Sequence, residues 1–286
     1  MPEERLTKND KREQAREAAR IAREKQKRAE NLRRWLIPTS VTVAVLAIAA
    51  IVVLVVSTSA PAPQTAAGPK NMISDGILFT GSGGTMVATT TAGIKAKSTP
   101  TPNPLPNDGI AHIVTYIDLS CPACRAFEAT NAETIKSLVQ QGTATLEVHP
   151  IAILDRNSLG ARYSSRSANL AACVANYAPD NFYAVVEAMY TNQAAEGTTG
   201  LSNSQMIRIV HNAGLTNSKV DACINGESFK SWVAAATSRA GTGPLPNSSV
   251  TAVTGTPTVL VNGQQYTGSL SDGSAFTGFI QQVLAS

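Results

Sequence analysis

The sequence has few of the residues on which most catalytic and metal sites depend. Its 286 residues contain four cysteines and three histidines, and the histidines, His112, His149 and His211, are scattered. A zinc site needs two more closely spaced ligands beside a C-x-x-C pair, and a second such pair is missing. We also find no Ser/His/Asp set, no glycine-rich phosphate loop and no internal repeat. Zinc-binding, triad-hydrolase and phosphate-loop classes are therefore disfavoured, and no metal or cofactor is expected.

Charge is missing from one long stretch. Residues 36–56 carry no charged side chain and are almost wholly Val, Ala, Leu and Ile, which is about the 20 residues that a helix needs to cross a bilayer. Basic residues crowd its N-terminal side, whereas none occurs on the other side until Lys70. The positive-inside rule therefore predicts a single transmembrane helix over 35–57 and a basic cytoplasmic segment over 1–34. A cleaved signal peptide is the alternative, but the apolar run exceeds the usual length of that region.

The net charge of +4 does not describe the rest of the chain, because the lysines and arginines concentrate in residues 1–34. The chain beyond the apolar run is close to neutral, so we expect no nucleic-acid partner. All four cysteines also lie beyond that run, on the side of the membrane where disulfides persist. A Pro/Ala/Thr linker is predicted over 58–75 because its composition is too polar to fold alone. The sequence thus indicates a membrane-anchored protein with an extracytoplasmic domain.

The order of the predicted elements indicates an α/β fold. A small hairpin is expected around 77–88, and a strand–helix–strand pattern covers 110–153. Helical patterns then fill residues from about 155 to 245. The β pattern returns with a hairpin at Asn262-Gly263, and an amphipathic helix from Phe276 closes the chain. We therefore predict one domain over 76–286 with a helical insertion.

A dithiol, Cys121-Pro122-Ala123-Cys124, lies where the strand ends and the helix begins. The N-terminus of a helix carries unpaired N–H groups and a partial positive charge, which stabilise a thiolate. Pro122 suits the first helical position. We expect Cys121 at or beside the N-cap, exposed and activated. Cys124 should lie one turn further in and be shielded.

This C-P-x-C motif after a strand, the helical insertion and Thr256-Pro257 at a strand entrance together resemble the DsbA-like thiol oxidoreductases of the thioredoxin superfamily, over roughly 76–285. The resemblance implies a thioredoxin fold with an inserted all-helical subdomain and catalytic sulfurs at Cys121 and Cys124. It implies a cis proline at Pro257 facing them, and backbone groups of Thr256 that take an extended substrate. The residues expected to support the two sulfurs are Pro122, Ala123, Thr256 and Pro257.

The function implied is thiol:disulfide exchange that introduces disulfides into reduced exported polypeptides. The reoxidising partner would be a quinone-linked membrane protein of the DsbB or vitamin K epoxide reductase type, and the enzyme a monomer. One alternative reverses the electron flow: an extracytoplasmic reductase or isomerase, as in cytochrome c maturation. Another is a non-enzymatic ectodomain with structural disulfides.

Two positions depart from the family pattern. Ala123 stands where many relatives carry histidine, so the thiolate is expected to be less stabilised and the protein less oxidising. Thr115 stands six residues before the first cysteine, where many thioredoxin-like chains carry an acid. Asp118 and Glu128 are the acidic residues near the motif, and the sequence does not decide which of them assists proton transfer.

Cys173 and Cys223 lie in the predicted helical insertion. Four cysteines allow three pairings, but a C-x-x-C normally pairs with itself, which leaves these two for each other. In the chain-entropy model a loop of about 50 residues contributes about 4 kcal/mol of stability and one of about four residues only about 2 kcal/mol. We therefore interpret this pair as a structural disulfide, with free thiols or a regulatory switch as the alternatives.

Overall fold

The structure, a computed structural model, describes residues 67–286. The predicted cytoplasmic segment over 1–34, the predicted transmembrane helix over 35–57 and the first part of the predicted linker lie outside the described residues. From residue 67 onward, no helix has both the length and the apolar character needed to cross a bilayer.

A six-stranded mixed sheet forms the centre of the described part. The strands are β1 (Ile77–Ser82), β2 (Thr85–Ala88), β3 (Ala111–Ile117), β4 (Ala144–Pro150), β5 (Thr258–Val261) and β6 (Gln264–Gln265). Their spatial order is β2-β1-β4-β3-β5-β6. Strands β3 and β4 are parallel, and the other neighbours pair antiparallel. Strand β3 is buried on both faces along nearly all its length, so its C-terminal end holds the next residues of the chain in a fixed place.

Helices cover the sheet and form the insertion. They are α1 (Pro122–Gln140), α2 (Tyr163–Tyr177), α3 (Phe182–Thr191), α4 (Asn203–Asn212), α5 (Ser218–Asn225), α6 (Lys230–Thr242) and α7 (Gly273–Leu284). Helix α1 connects β3 to β4, and α2 to α6 lie between β4 and β5. The described part is therefore a thioredoxin-like α/β fold with inserted helices, as the sequence predicts.

Helix α1 buries residues at every fourth position, Phe127, Asn131, Ile135 and Val139, and this stripe packs on the sheet beside β4 and β1. Helix α7 contacts the same helix, and the rings of Phe127 and Phe276 meet edge to face with centroids 5.2 Å apart. Such aromatic pairs add about 0.5–1.5 kcal/mol beyond their buried area. Packing along the whole of α1 thus fixes the position of its N-terminal end.

Helix α2 is the central helix of the insertion. Eleven of its residues are buried, including Ser164, Ser167 and Asn169, so it is covered on nearly all sides rather than on one stripe. A helix that is buried all round needs partners for its polar side chains. Asn169 has one, since it accepts a hydrogen bond from the Phe229 N–H at 2.8 Å.

The described residues differ from the predicted domain organisation at the end of the linker. The composition predicts a linker that reaches residue 75, but Met72 is fully buried and the Asn71 side chain donates to the Ala175 carbonyl at 2.8 Å. Asp75 accepts hydrogen bonds from Trp232 at 3.0 Å and from Arg239 at 2.7 and 2.8 Å. These contacts join distant parts of the chain, so local composition could not reveal that this stretch packs onto the domain.

Candidate active site

The dithiol lies at the N-terminus of α1. Cys121 is the N-cap residue, with φ −84° and ψ 119°, and Pro122 is the first helical residue. The Cys121 N–H donates to the Asp118 carbonyl at 2.9 Å, which closes the turn between β3 and α1. Both cysteines are free thiols in this structure. Cys121 is 6% exposed and Cys124 1%, so Cys121 is more enclosed than the sequence predicts.

Thr256 and Pro257 lie against the dithiol from a distant part of the chain. Their peptide bond is cis, and they lead directly into β5. The Cys121 thiol donates to the Thr256 carbonyl at 3.2 Å, although the two residues are 135 positions apart. With Cys121 as a thiol, the buried Thr256 hydroxyl has no hydrogen-bond partner among residues 67–286, so it is free to donate to the Cys121 thiolate. The structure therefore brings together the two motifs that carry the resemblance.

The two sulfurs have opposite electrostatic environments. The pKa of Cys121 is lowered to about 6, first by a hydrogen bond from the Cys124 thiol and then by the Thr256 side chain and the backbone N–H groups of Cys124 and Ala123, while burial opposes the shift. The pKa of Cys124 is raised well above its usual value, because burial penalises its thiolate and the neighbouring Cys121 adds to the effect. At neutral pH this arrangement gives one thiolate and one thiol.

Asp118 fixes the loop that carries the dithiol. Its carboxylate accepts hydrogen bonds from the N–H and hydroxyl of Ser120 at 2.9 and 2.7 Å. It also accepts from the N–H groups of Ile153 and Leu154 at 2.9 and 3.1 Å, and from the Ser164 hydroxyl. Burial raises its pKa, and the hydrogen bonds from Ser164 and Ser120 oppose that shift. Asp118 therefore joins the loop, the end of β4 and the insertion, and its oxygens are fully engaged.

Two residues of the insertion also contact this loop, and no sequence motif points to them. The Gln193 side chain donates to the carbonyls of Leu119 and Cys121, both at 3.0 Å. The buried Tyr190 hydroxyl donates to the Asp118 carbonyl at 3.4 Å. Tyr190 lies in the last turn of α3 and Gln193 just beyond it, so only the packing of the insertion on the dithiol loop identifies them.

Cys173 and Cys223 form a disulfide that joins α2 to α5, with an S–S distance of 2.01 Å. Both sulfurs are buried, with Cys173 fully enclosed. The bond lies within the helical insertion and does not involve Cys121 or Cys124. Its position is that of a cross-link between two packed helices.

His149 lies away from the dithiol. Its ring stacks on Tyr116 with centroids 4.4 Å apart, and its Nε2 is 3.0 Å from a Glu147 carboxyl oxygen. Two adjoining cavities of about 260 Å³ each are lined in part by Tyr116 and His149, and neither is lined by Cys121 or Cys124. His149 is therefore a packed histidine and not a base that serves the dithiol.

A known protein family matches most of the described part of the chain. The family model described as thioredoxin matches residues 108–282, which include β3, the dithiol, the whole insertion and Pro257. The chain belongs to the thioredoxin family. A search of curated protein sequences finds no match.

Among solved structures, this thioredoxin-family chain is similar to reduced DsbA from Mycobacterium tuberculosis, with 29% identity, 74% of this chain and 93% of that chain covered, and a TM-score of 0.53. It is also similar to the disulfide bond oxidoreductase DsbG from the same organism, reduced, with 28% identity, 73% and 87% coverage, and a TM-score of 0.52. Oxidised BdbD from Bacillus subtilis is 15% identical, with 78% and 100% coverage and a TM-score of 0.53, and it shows the shared fold alone. The chain is thus DsbA-like, an enzyme of the thiol-disulfide oxidoreductase class.

Proposed function

We propose that this protein is an extracytoplasmic disulfide oxidase that introduces disulfide bonds into exported polypeptides through Cys121 and Cys124. The observation that carries the proposal is the opposed pair of pKa shifts, with Cys121 at about 6 and Cys124 well above its usual value. A stabilised thiolate at Cys121 makes the dithiol form favourable relative to the disulfide. A disulfide with a favourable dithiol form withdraws electrons from other thiols.

The proposed reaction begins with Cys121 and Cys124 joined. A substrate thiolate attacks the Cys121 sulfur, the bond between the two cysteines breaks, and its electron pair passes to Cys124. A second substrate thiolate then attacks the substrate sulfur of the mixed disulfide. The substrate leaves with a disulfide, and Cys121 leaves as the thiolate that the helix N-terminus and Thr256 stabilise.

The backbone of Thr256 is the proposed binding edge for substrate. Its carbonyl lies 3.2 Å from the Cys121 sulfur, and only Pro257 separates it from β5. An extended peptide that pairs with this edge would have its own sulfur beside Cys121. Because such recognition uses main-chain groups, it would accept many different exported sequences.

The location and partners are also proposals. The uncharged run over 36–56, with basic residues before it, supports a single-pass anchor in the cell membrane with the N-terminus in the cytoplasm and the catalytic domain outside. We propose a quinone-linked membrane protein of the DsbB or vitamin K epoxide reductase type as the reoxidising partner. The enzyme is proposed to act as a monomer.

The test is oxidation of a reduced, unfolded protein that contains several cysteines. The full-length wild type should introduce disulfides into this substrate, and Cys121→Ser should abolish that activity. Cys124→Ala should accumulate a covalent complex with the substrate through Cys121. A non-enzymatic ectodomain with structural disulfides predicts instead that Cys121→Ser changes no activity of the protein.

Equilibration with glutathione decides the direction of electron flow. An oxidase should have a potential between those of DsbA, about −120 mV, and protein disulfide isomerase, about −180 mV. Ala123 in place of histidine favours the more negative, less oxidising end of that interval. A potential near that of thioredoxin, about −270 mV, would support the extracytoplasmic reductase instead.

A further inference from the structure

A cluster of buried and half-buried polar side chains lies between α1 and α3 and includes Cys124 of the dithiol. Cys124 and Glu128 are four residues apart on α1 and therefore lie on one face of that helix. On α3, Tyr183, Glu187 and Tyr190 lie at the corresponding i, i+4 and i+7 spacing, and α1 and α3 pack together. Tyr183 and Tyr190 are buried. The proposed thiol:disulfide exchange gives no role to Glu128, Tyr183, Glu187 or Tyr190.

Glu128 is the unusual member of this cluster. Its Oε1 atom is buried and has no hydrogen-bond partner within residues 67–286. A buried carboxyl oxygen without a partner is costly, so it is rarely retained in a core without a chemical reason. Asp118, the other acidic residue near the motif, is engaged by the loop and is not free to exchange a proton.

Tyr190 lies beside the reacting sulfur of Cys124 and near Glu128. Its pKa is raised by burial first, and then by both the Cys124 thiol and the Glu128 carboxyl, and its hydroxyl faces the Cys124 side chain. The same hydroxyl donates to the Asp118 carbonyl at 3.4 Å. The Tyr190 hydroxyl is therefore beside Cys124, and Glu128 is near enough to act on it electrostatically.

We propose that Glu128 exchanges a proton with the Cys124 thiol, with Tyr190 as the bridging hydroxyl. The need for this exchange arises from burial, because a thiolate at Cys124 has no contact with solvent that could supply or remove its proton. In this chain the proposed acid thus comes from α1, the helix that packs against α3 of the insertion. This inference rests on the proposed exchange at Cys121 and Cys124.

The step balances without any further reactant. When a substrate thiolate attacks Cys121, the Cys121–Cys124 bond breaks and its electron pair goes to the Cys124 sulfur. That sulfur takes a proton from the Glu128 carboxyl, which becomes a carboxylate. On reoxidation the carboxylate removes the proton again, and the Cys124 thiolate attacks the mixed disulfide formed between Cys121 and the oxidising partner.

The surroundings of Glu128 suit a group that must gain and lose a proton near neutral pH. Burial raises the pKa of Glu128 to about 7, the Tyr183 hydroxyl opposes the shift, and the Glu187 carboxyl adds to it. Glu187 in turn faces Lys136 and Glu133 on α1. The titratable and charged groups around the site are therefore Asp118, Cys121, Cys124, Glu133, Lys136, Tyr183, Glu187 and Tyr190.

The experiment measures the return step as a function of pH. Full-length protein is labelled at Cys121 with thionitrobenzoate, and the coloured leaving group is monitored as Cys124 displaces it. In the wild type the rate should rise with a midpoint near pH 7, where Glu128 becomes a carboxylate. Glu128→Gln is nearly isosteric and should slow release of thionitrobenzoate about 100-fold at pH 7. It should also lose the midpoint near pH 7, so that the rate rises only at higher pH, where the Cys124 thiol itself loses its proton.

Glu187→Gln is the matched control, since it removes the neighbouring carboxyl of the same cluster. It should keep the midpoint and move it to lower pH, because the negative charge that raised the Glu128 pKa is gone. Tyr190→Phe should slow release while leaving the Glu128 titration in place. Glu128→Asp should retain a midpoint near neutral pH at a reduced rate.

Two failures are distinguishable. If the wild type neither accepts the label at Cys121 nor releases it, the proposed exchange at the dithiol is wrong. If the wild type releases the label and Glu128→Gln has the same pH profile at the same rate, the exchange stands and the role of Glu128 is refuted. Folding of each variant is checked by denaturant unfolding. That measurement has its own expectation: the stability of the wild type relative to Glu128→Gln should fall as pH rises from about 4.5 to about 7, because the folded-state pKa of Glu128 lies above the unfolded one.

Discussion

Ionisation of Cys121 is the property from which the proposed chemistry begins. With its pKa lowered to about 6 from an ordinary value of 9.0, about 90% of the sulfur is thiolate at pH 7, against about 1% for an ordinary cysteine. Nucleophilicity falls with pKa, by about 15- to 30-fold for a pKa lower by about three at a Brønsted slope of about 0.4–0.5. The net gain in alkylation rate at pH 7 is therefore only about 3- to 6-fold, and rate alone is a poor measure of this shift.

Absorbance of the thiolate in the ultraviolet is the better assay. The reduced wild type should titrate one sulfur with a midpoint near pH 6, and Cys121→Ser should lose that transition. Cys124→Ala removes the strongest stabilising hydrogen bond and should move the midpoint upward by more than Thr256→Val does, since the Thr256 side chain contributes less. A wild-type midpoint near 9 would refute the electrostatic argument, and a larger effect of Thr256→Val would refute its order of causes.

Two further predictions concern stability. Replacing Cys173 and Cys223 by serine removes a cross-link between residues 50 positions apart, so the free energy of unfolding should fall by about 4 kcal/mol. Denaturant unfolding measures it, and loss of oxidase activity in the still-folded variant would contradict a purely structural role. Asp118→Ala leaves the partly buried N–H groups of Ile153 and Leu154 without an acceptor, at up to about 1–3 kcal/mol each. Asp118→Asn keeps one acceptor oxygen and should cost less, so equal stability of the two variants would contradict the role given to Asp118 in the loop.

Much of the fold could be predicted because it depends on local patterns. The apolar run before Cys121 is a strand, the segment after Pro122 is a helix, and Asn262-Gly263 forms the turn of a hairpin between β5 and β6. The last helix begins at Gly273 rather than at the predicted Phe276, because Asp272 caps it by accepting hydrogen bonds from Ser274 and Ala275. Strand β4 ends at Pro150, a few residues earlier than the predicted end. These differences are small because capping and pairing act over a few residues.

The two halves of the site could be named from the sequence for a related reason. Cys121 and Cys124 form a short motif at a strand-to-helix junction, and Thr256-Pro257 forms another at the entrance of β5. The chemistry of each motif is set by its own few residues and by the backbone around them. Their contact, through the thiol of Cys121 and the carbonyl of Thr256, required only that β3 and β5, which the two motifs follow and precede, be antiparallel neighbours in one sheet.

The tertiary structure alone decided which other groups surround the sulfurs. Gln193 and Tyr190 meet the dithiol loop only because the insertion folds back onto α1. Asp118 and Glu128 are indistinguishable as candidates in the sequence, since both are acids a few residues from the motif. Packing separates them: five donors converge on the carboxylate of Asp118, whereas an oxygen of Glu128 is enclosed without a partner among the described residues. Burial and hydrogen bonding depend on residues distant in the chain, and they determine how readily each carboxyl holds a proton.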